Sequence, residues 1–118
     1  MSFDKATNRA DFSTDALALV SQRRARLSEL DKYVAVHPGL ACGIIERLGL
    51  VTLNVINIRD PTRKTNIVCD FIDGEWQYVW AEDGRSLGPA DDPMSVVGPI
   101  AAELGARLQP VRNRAQHL

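Results

Sequence analysis

The chain is short of nearly everything that would announce an activity at once. Cysteine occurs twice, at Cys42 and Cys69, with no CxxC pair, and the two histidines, His37 and His117, lie far apart. A zinc site draws about four ligands from a tight constellation, so neither metal nor cofactor is expected. Small domains built on disulfides carry more cysteines, so two reduced, buried thiols are expected instead. Apolar runs last only a few residues, which excludes a membrane-spanning helix. Met1 to Phe12 lacks the basic-then-apolar order of a secretion signal, and the expected compartment is the cytoplasm. Charge of one sign is also missing: the net charge is -1, which sets up no global field for nucleic acid. Phosphate-binding loops, nucleotide fingerprints and Gly-x-Ser-x-Gly elbows are missing as well.

What is present fits one globular unit. The 118 residues are 45% hydrophobic and 25% charged. Residues 1–13 read as a flexible arm, residues 14–108 as a single α+β domain and residues 109–118 as a mobile tail. A capped helix is expected from about residue 13 to Val36, with Ala16, Val20, Leu27, Leu30 and Val34 on one stripe, Arg23 filling the vacant position, and Leu17, Leu19 and Tyr33 widening it. Pro38 then reads as the first turn of a second, short helix through Leu48, with Gly49 ending it.

From Leu50 the period changes to two. Strands are expected over Leu50–Ile58, Thr65–Ile72 and Glu75–Ala81, with Asp73-Gly74 forming a type I′ turn. A turn-rich loop covers 82–92, and a last helix begins at Asp92-Pro93 and carries Val96, Val97, Ile100, Ala101 and Leu104. Pro99 is expected to kink that helix or delay its start, and Gly105 to mark its end. The predicted order is α-α-β-β-β-α, a three-stranded antiparallel meander packed against helices.

Two resemblances follow. The α-β-β-β-α portion resembles the topology of double-stranded-RNA-binding domains, and Ala101-Ala102-Glu103-Leu104-Gly105 is similar to their last helix. Those domains place basic residues at the start of that helix, where this chain has Ala90-Asp91-Asp92-Pro93-Met94, so nucleic acid is not the expected partner. The stretch containing Trp80, Asp83-Gly84 and Leu87-Gly88-Pro89-Ala90-Asp91-Asp92 resembles small uncharacterised actinobacterial proteins. That resemblance implies an origin, in keeping with eleven arginines against three lysines, and no activity.

Residues 70–92 carry a charge of -6, with Arg85 as their lone cation, and the remainder carries +5. Such polarity suits a partner of complementary charge, or solvated turns and caps. Trp76, Tyr78 and Trp80 form a stripe on one strand face, either as core or as a recognition platform next to a polar face with Thr52 and Asn54. Asp70 alternates with apolar residues, as a half-buried acid or as the partner of Arg59 or Arg63. His37 and Cys42 are too weakly placed to suggest a nucleophile pair, and no catalytic residue is assigned.

The expected function is that of a small binding or accessory (regulatory) protein acting through protein–protein contacts as a homodimer. Its binding residues would be Trp76, Tyr78, Trp80, Asp70 and Arg85. The excess apolar surface of the first helix would form the dimer, with Arg23, Arg24 and Arg26 meeting the acidic stretch of the second subunit. The alternative is a small-molecule-binding protein or small enzyme with a sheet–helix cavity lined by Trp76, Trp80 and Asp70.

Overall fold

A computed structural model describes the backbone of residues 2–106 and the side chains of residues 18–106. The order is α1 (Ser2–Ala35), β1 (Leu40–Arg47), β2 (Leu50–Asn57), β3 (Lys64–Ile72), β4 (Glu75–Trp80), β5 (Ser86–Pro89) and α2 (Met94–Glu103). The fold is α+β, with the five strands following one another across a single antiparallel sheet. No helix among the described residues is long and apolar enough to cross a membrane.

Two elements differ from the sequence expectation. The segment expected as a second helix is strand β1, paired with β2 from Leu40↔Asn57 to Arg47↔Leu50. Its apolar residues fit a helical stripe, but Leu40, Cys42 and Ile44 also alternate, and the β-branched Ile44 and Ile45 favour the extended chain. Leu48-Gly49, expected as a helix end, is a two-residue hairpin turn with both φ values positive, 54° and 83°. The loop expected over 82–92 contains β5, which pairs with β4 beyond a bulge at Tyr78/Val79. The meander therefore has five strands, not three. α1 begins at Ser2, so its backbone also runs through the segment expected as an arm. The tail expected over 109–118 lies outside the described residues.

Other readings hold. Asp73-Gly74 has φ values of 50° and 84° and joins β3 to β4 as a two-residue turn. α2 ends by Gly105, φ 70°, where Ala106 N–H donates to Ala101 O and Gly105 N–H to Ala102 O, but it begins at Met94 with Pro93, not Asp92, at the cap position, and it runs through Pro99, which does not delay its start.

One face of the sheet is buried. Val51, Leu53 and Val55 of β2, Ile67 and Cys69 of β3, and Tyr78 and Trp80 of β4 meet Leu27, Leu30 and Val34 of α1 and Val96 and Ile100 of α2. The 34 residues of α1 span about 51 Å, more than a strand of this sheet covers. Among its described side chains, the fully buried Leu27, Leu30 and Val34 fall in the last third, Val20 is half-buried and Leu19 is exposed. Ladder pairing between β2 and β3 runs only from Ile56↔Lys64 to Leu53↔Ile67. Beyond that the sheet parts into two wings, and α1 ties both: Arg23 pairs with Asp70 of β3 at 3.3 Å, and Arg24 pairs with Glu46 of β1.

Leu48 combines two unfavourable features, a left-handed backbone and a fully exposed side chain. Asparagine tolerates that conformation and is the preferred partner of the following glycine. Leu48→Asn should raise the stability of the dilute protein by about 1 kcal/mol, read as a higher urea midpoint with unchanged slope. A lower midpoint would show that Leu48 stabilises the single chain.

Candidate functional site

The β4 stripe faces the core. Tyr78 and Trp80 are buried, and Trp76 is half-buried at the end of the same face. The register explains this: Trp80 stands opposite Ile67, Tyr78 opposite Cys69 and Trp76 opposite Phe71. The platform reading, with Trp76 and Trp80 beside Thr52 and Asn54, therefore does not match the geometry. Thr52 and Asn54 alternate to the outer face, where Asn54 Nδ2 donates to Asn66 Oδ1 at 3.0 Å.

Each of the five expected binding residues has its own surroundings. The Tyr78 hydroxyl donates to Arg26 O at 2.7 Å and lies 3.4 Å from Ala90 O, pinning β4 to α1 and to the start of the β5–α2 connection. Trp80 is buried beneath the Arg85 guanidinium, 5.5 Å from its ring centroid. Arg85 N–H donates to Asp83 Oδ1 at 3.0 Å and Arg85 Nε to Asp83 Oδ2 at 2.7 Å, and these bonds, the backbone one foremost, hold the Asp83 carboxyl below its usual value. Asp70, 48% exposed, pairs with Arg23 of α1, not with Arg59 or Arg63. Arg23 and Arg24 thus spend their charge within the chain. Trp76 carries the Arg26 guanidinium on its face, 5.2 Å from the centroid, and Phe71 stands edge-on to it at 5.5 Å and 69°.

These residues separate to opposite ends of the sheet. At the end of the β3–β4 turn, Arg26, Phe71, Glu75, Trp76 and Asp91 line a cleft of about 240 Å³ that takes in neither Trp80 nor Asp70. Phe71 is 59% exposed there. At the far end, Arg63, Lys64, Thr65, Glu82 and Glu103 line a shallow cleft of about 350 Å³, with two cations and two carboxylates in balance.

Asn57, which the sequence reading took as an ordinary strand residue, organises that far end. It is buried; its Nδ2 donates to Leu104 O at 2.8 Å, and its Oδ1 accepts from Arg59 N at 2.8 Å and Asp60 N at 3.2 Å. One side chain thereby joins the end of α2 to the β2–β3 loop. The available signal was a polar residue in phase with Val51, Leu53 and Val55.

Neither thiol is poised as a nucleophile. Cys42 Sγ donates to Asp31 Oδ1 at 3.0 Å, and burial together with that carboxylate pushes the thiol up to about 12. Burial pushes Cys69 up to about 11 and raises the Tyr78 hydroxyl as well. His37 Nδ1 accepts from Gly39 N–H at 3.0 Å within its own turn. Among the described residues, no three His, Cys, Asp or Glu gather as metal ligands.

Asn57→Ala would strand a buried carbonyl and two loop amides, and should lower the unfolding free energy by about 2–3 kcal/mol in urea titration. A change near zero would mean that water replaces the side chain. The thiols predict an alkaline effect. An unfolded thiol ionises near 9, whereas the folded chain holds these protons to about 11 and 12. The stabilising contribution is thus complete below pH 9 and declines as pH rises towards 12. The urea midpoint should fall over that window, and less steeply in Cys42→Ala/Cys69→Ala; equal slopes would contradict the assignment.

Compared with known proteins, the chain matches no family model, no curated protein and no solved structure.

Proposed function

We propose that this chain is an accessory protein that binds another protein, and that the cleft beside the β3–β4 turn receives a cationic segment of that partner. The observation behind this reading is the aromatic pair Phe71/Trp76, left partly open at the surface with the carboxylates of Glu75 and Asp91 on the same rim. An aromatic face attracts a cation through its quadrupole, and nearby carboxylates add to that attraction. Arg26 over Trp76 is an intramolecular instance of the same contact. A cation from a partner would meet the free face of Phe71 and the two carboxylates.

This location also suits a binding role on energetic grounds. Phe71 belongs to the core face by alternation but lies beyond the level where α1 and α2 cover the sheet, so its ring gains little from folding. An exposed aromatic ring is the residue type enriched at protein interfaces, and the carboxylates beside it suit the polar rim of one.

Tryptophan fluorescence provides the test, since Trp76 lines the cleft. An oligolysine peptide should change the emission with a salt-sensitive affinity, and an oligoglutamate peptide should not. Phe71→Ala and Glu75→Gln/Asp91→Asn should each weaken the oligolysine response several-fold while leaving the urea midpoint nearly unchanged. An equal response to both peptides, or to neither, would refute the proposal.

A further inference from the structure

The two edges of the sheet are built differently. β5 is four residues long, contains Pro89 and pairs across a bulge, all features that discourage a further strand. β1 is eight residues long, regular and free of proline. The phase of its ladder is fixed by Gly39 O accepting from Ile58 N–H and by the two-residue Leu48-Gly49 turn. Odd-numbered residues of β1 therefore bond to β2. The N–H and C=O groups of Cys42, Ile44 and Glu46 point the other way, and none of the described backbone bonds outside the strand ladders uses them.

We propose that β1 pairs antiparallel with β1 of a second copy about a two-fold axis through Ile44, joining the two sheets into one. This register places Ile44 opposite itself and Cys42 opposite Glu46, so that every free edge group of these three residues in both copies finds a partner. Shifting the register by two residues leaves some unpaired. The side chains also fit. On the outer face the same register sets Gly43 opposite Ile45 and Ala41 opposite Arg47, large against small. A side chain added at Gly43 would meet nothing within 4 Å in the single chain, so the space beside it is open.

Charge on the inner face agrees. Glu46, paired with its own Arg24, comes beside Cys42 of the second copy, which is bonded to Asp31. Arg24 of one copy then lies between the carboxylates of Glu46 and Asp31 of the two copies. Exposure agrees too. Ile45, Leu48 and Leu50, exposed by 47%, 101% and 58%, all belong to the β1–β2 hairpin, and Leu48 comes against the start of β1 in the second copy. The left-handed Leu48, costly in the single chain, gains an apolar contact there.

Hydrogen exchange and light scattering on the full chain test the register. In concentrated protein the amides of Cys42, Ile44 and Glu46 should be protected, and dilution should release them together with dissociation into single chains. The amides of Ala41, Gly43 and Ile45, bonded to β2, should stay protected throughout. Gly43→Lys should weaken association at least about tenfold while the urea midpoint of the dilute protein stays the same. The proposal is overturned by a single chain at high concentration, by fast exchange at Cys42, Ile44 and Glu46 in a dimer held elsewhere such as along α1, or by undiminished association of Gly43→Lys.

Discussion

Burial of the last third of α1 against one face of the sheet is the constraint on which the other features depend. Leu27, Leu30 and Val34 are fully buried against Val51, Leu53, Val55, Ile67 and Cys69. At about 1.5–3 kcal/mol for each large apolar side chain removed from water, this contact outweighs any polar interaction in the molecule. Once it is made, the remaining positions follow. Arg26 is brought over Trp76, its carbonyl meets the Tyr78 hydroxyl, and Asp31 is brought to Cys42. The same docking leaves the first part of α1 beyond the sheet, because the helix is longer than the strands beneath it.

The ladder between β2 and β3 is short and ends at Leu53↔Ile67. Asp70 and Glu46 then lie on separate wings, each held by one arginine of α1. Exposed ion pairs of this kind contribute at most about 1 kcal/mol each, far less than the apolar contact beneath them.

The sequence was readable where one pattern dominated. Strict alternation in Val51-Thr52-Leu53-Asn54-Val55 and in Ile67-Val68-Cys69 identified the inner face of β2 and β3, and Asp73-Gly74 identified its turn. β1 hides from a period-based reading because Leu40, Ala41, Ile44, Ile45 and Leu48 stand at helical spacing, whereas a strand at the edge of the sheet keeps apolar residues on both faces. Leu48-Gly49 compounded the error: glycine with positive φ ends helices and closes hairpins alike, and leucine at the first position is not the residue that a type I′ turn favours. β5 was missed because four residues including a glycine and a proline carry no period at all. Of the expected site residues, Tyr78 and Trp80 proved to be core, a matter that depends on which face the helices cover and not on the strand's own sequence.

The charge polarity of the sequence has a related lesson. Arginines at one end and carboxylates over 70–92 read as complementary surfaces waiting for a partner. In the fold, the two groups already meet within one chain: Arg23 reaches Asp70, and Arg26 lies in the same cleft as Glu75 and Asp91. Helix α1 brings Arg26 over Trp76 and its carbonyl to the Tyr78 hydroxyl, so residues about fifty positions apart are placed side by side. What remains for a partner is the surface that these contacts leave uncovered. Among the described residues it comprises an aromatic edge at Phe71 beside the Glu75 and Asp91 carboxylates, and the β1 edge, where the backbone groups of Cys42, Ile44 and Glu46 take part in none of the described bonds outside the strand ladders. A cation held at the first would be released by salt, whereas strand pairing at the second would run through the backbone and be nearly indifferent to it. The two proposed contacts are compatible, since Phe71 lies on β3, two strands away from β1.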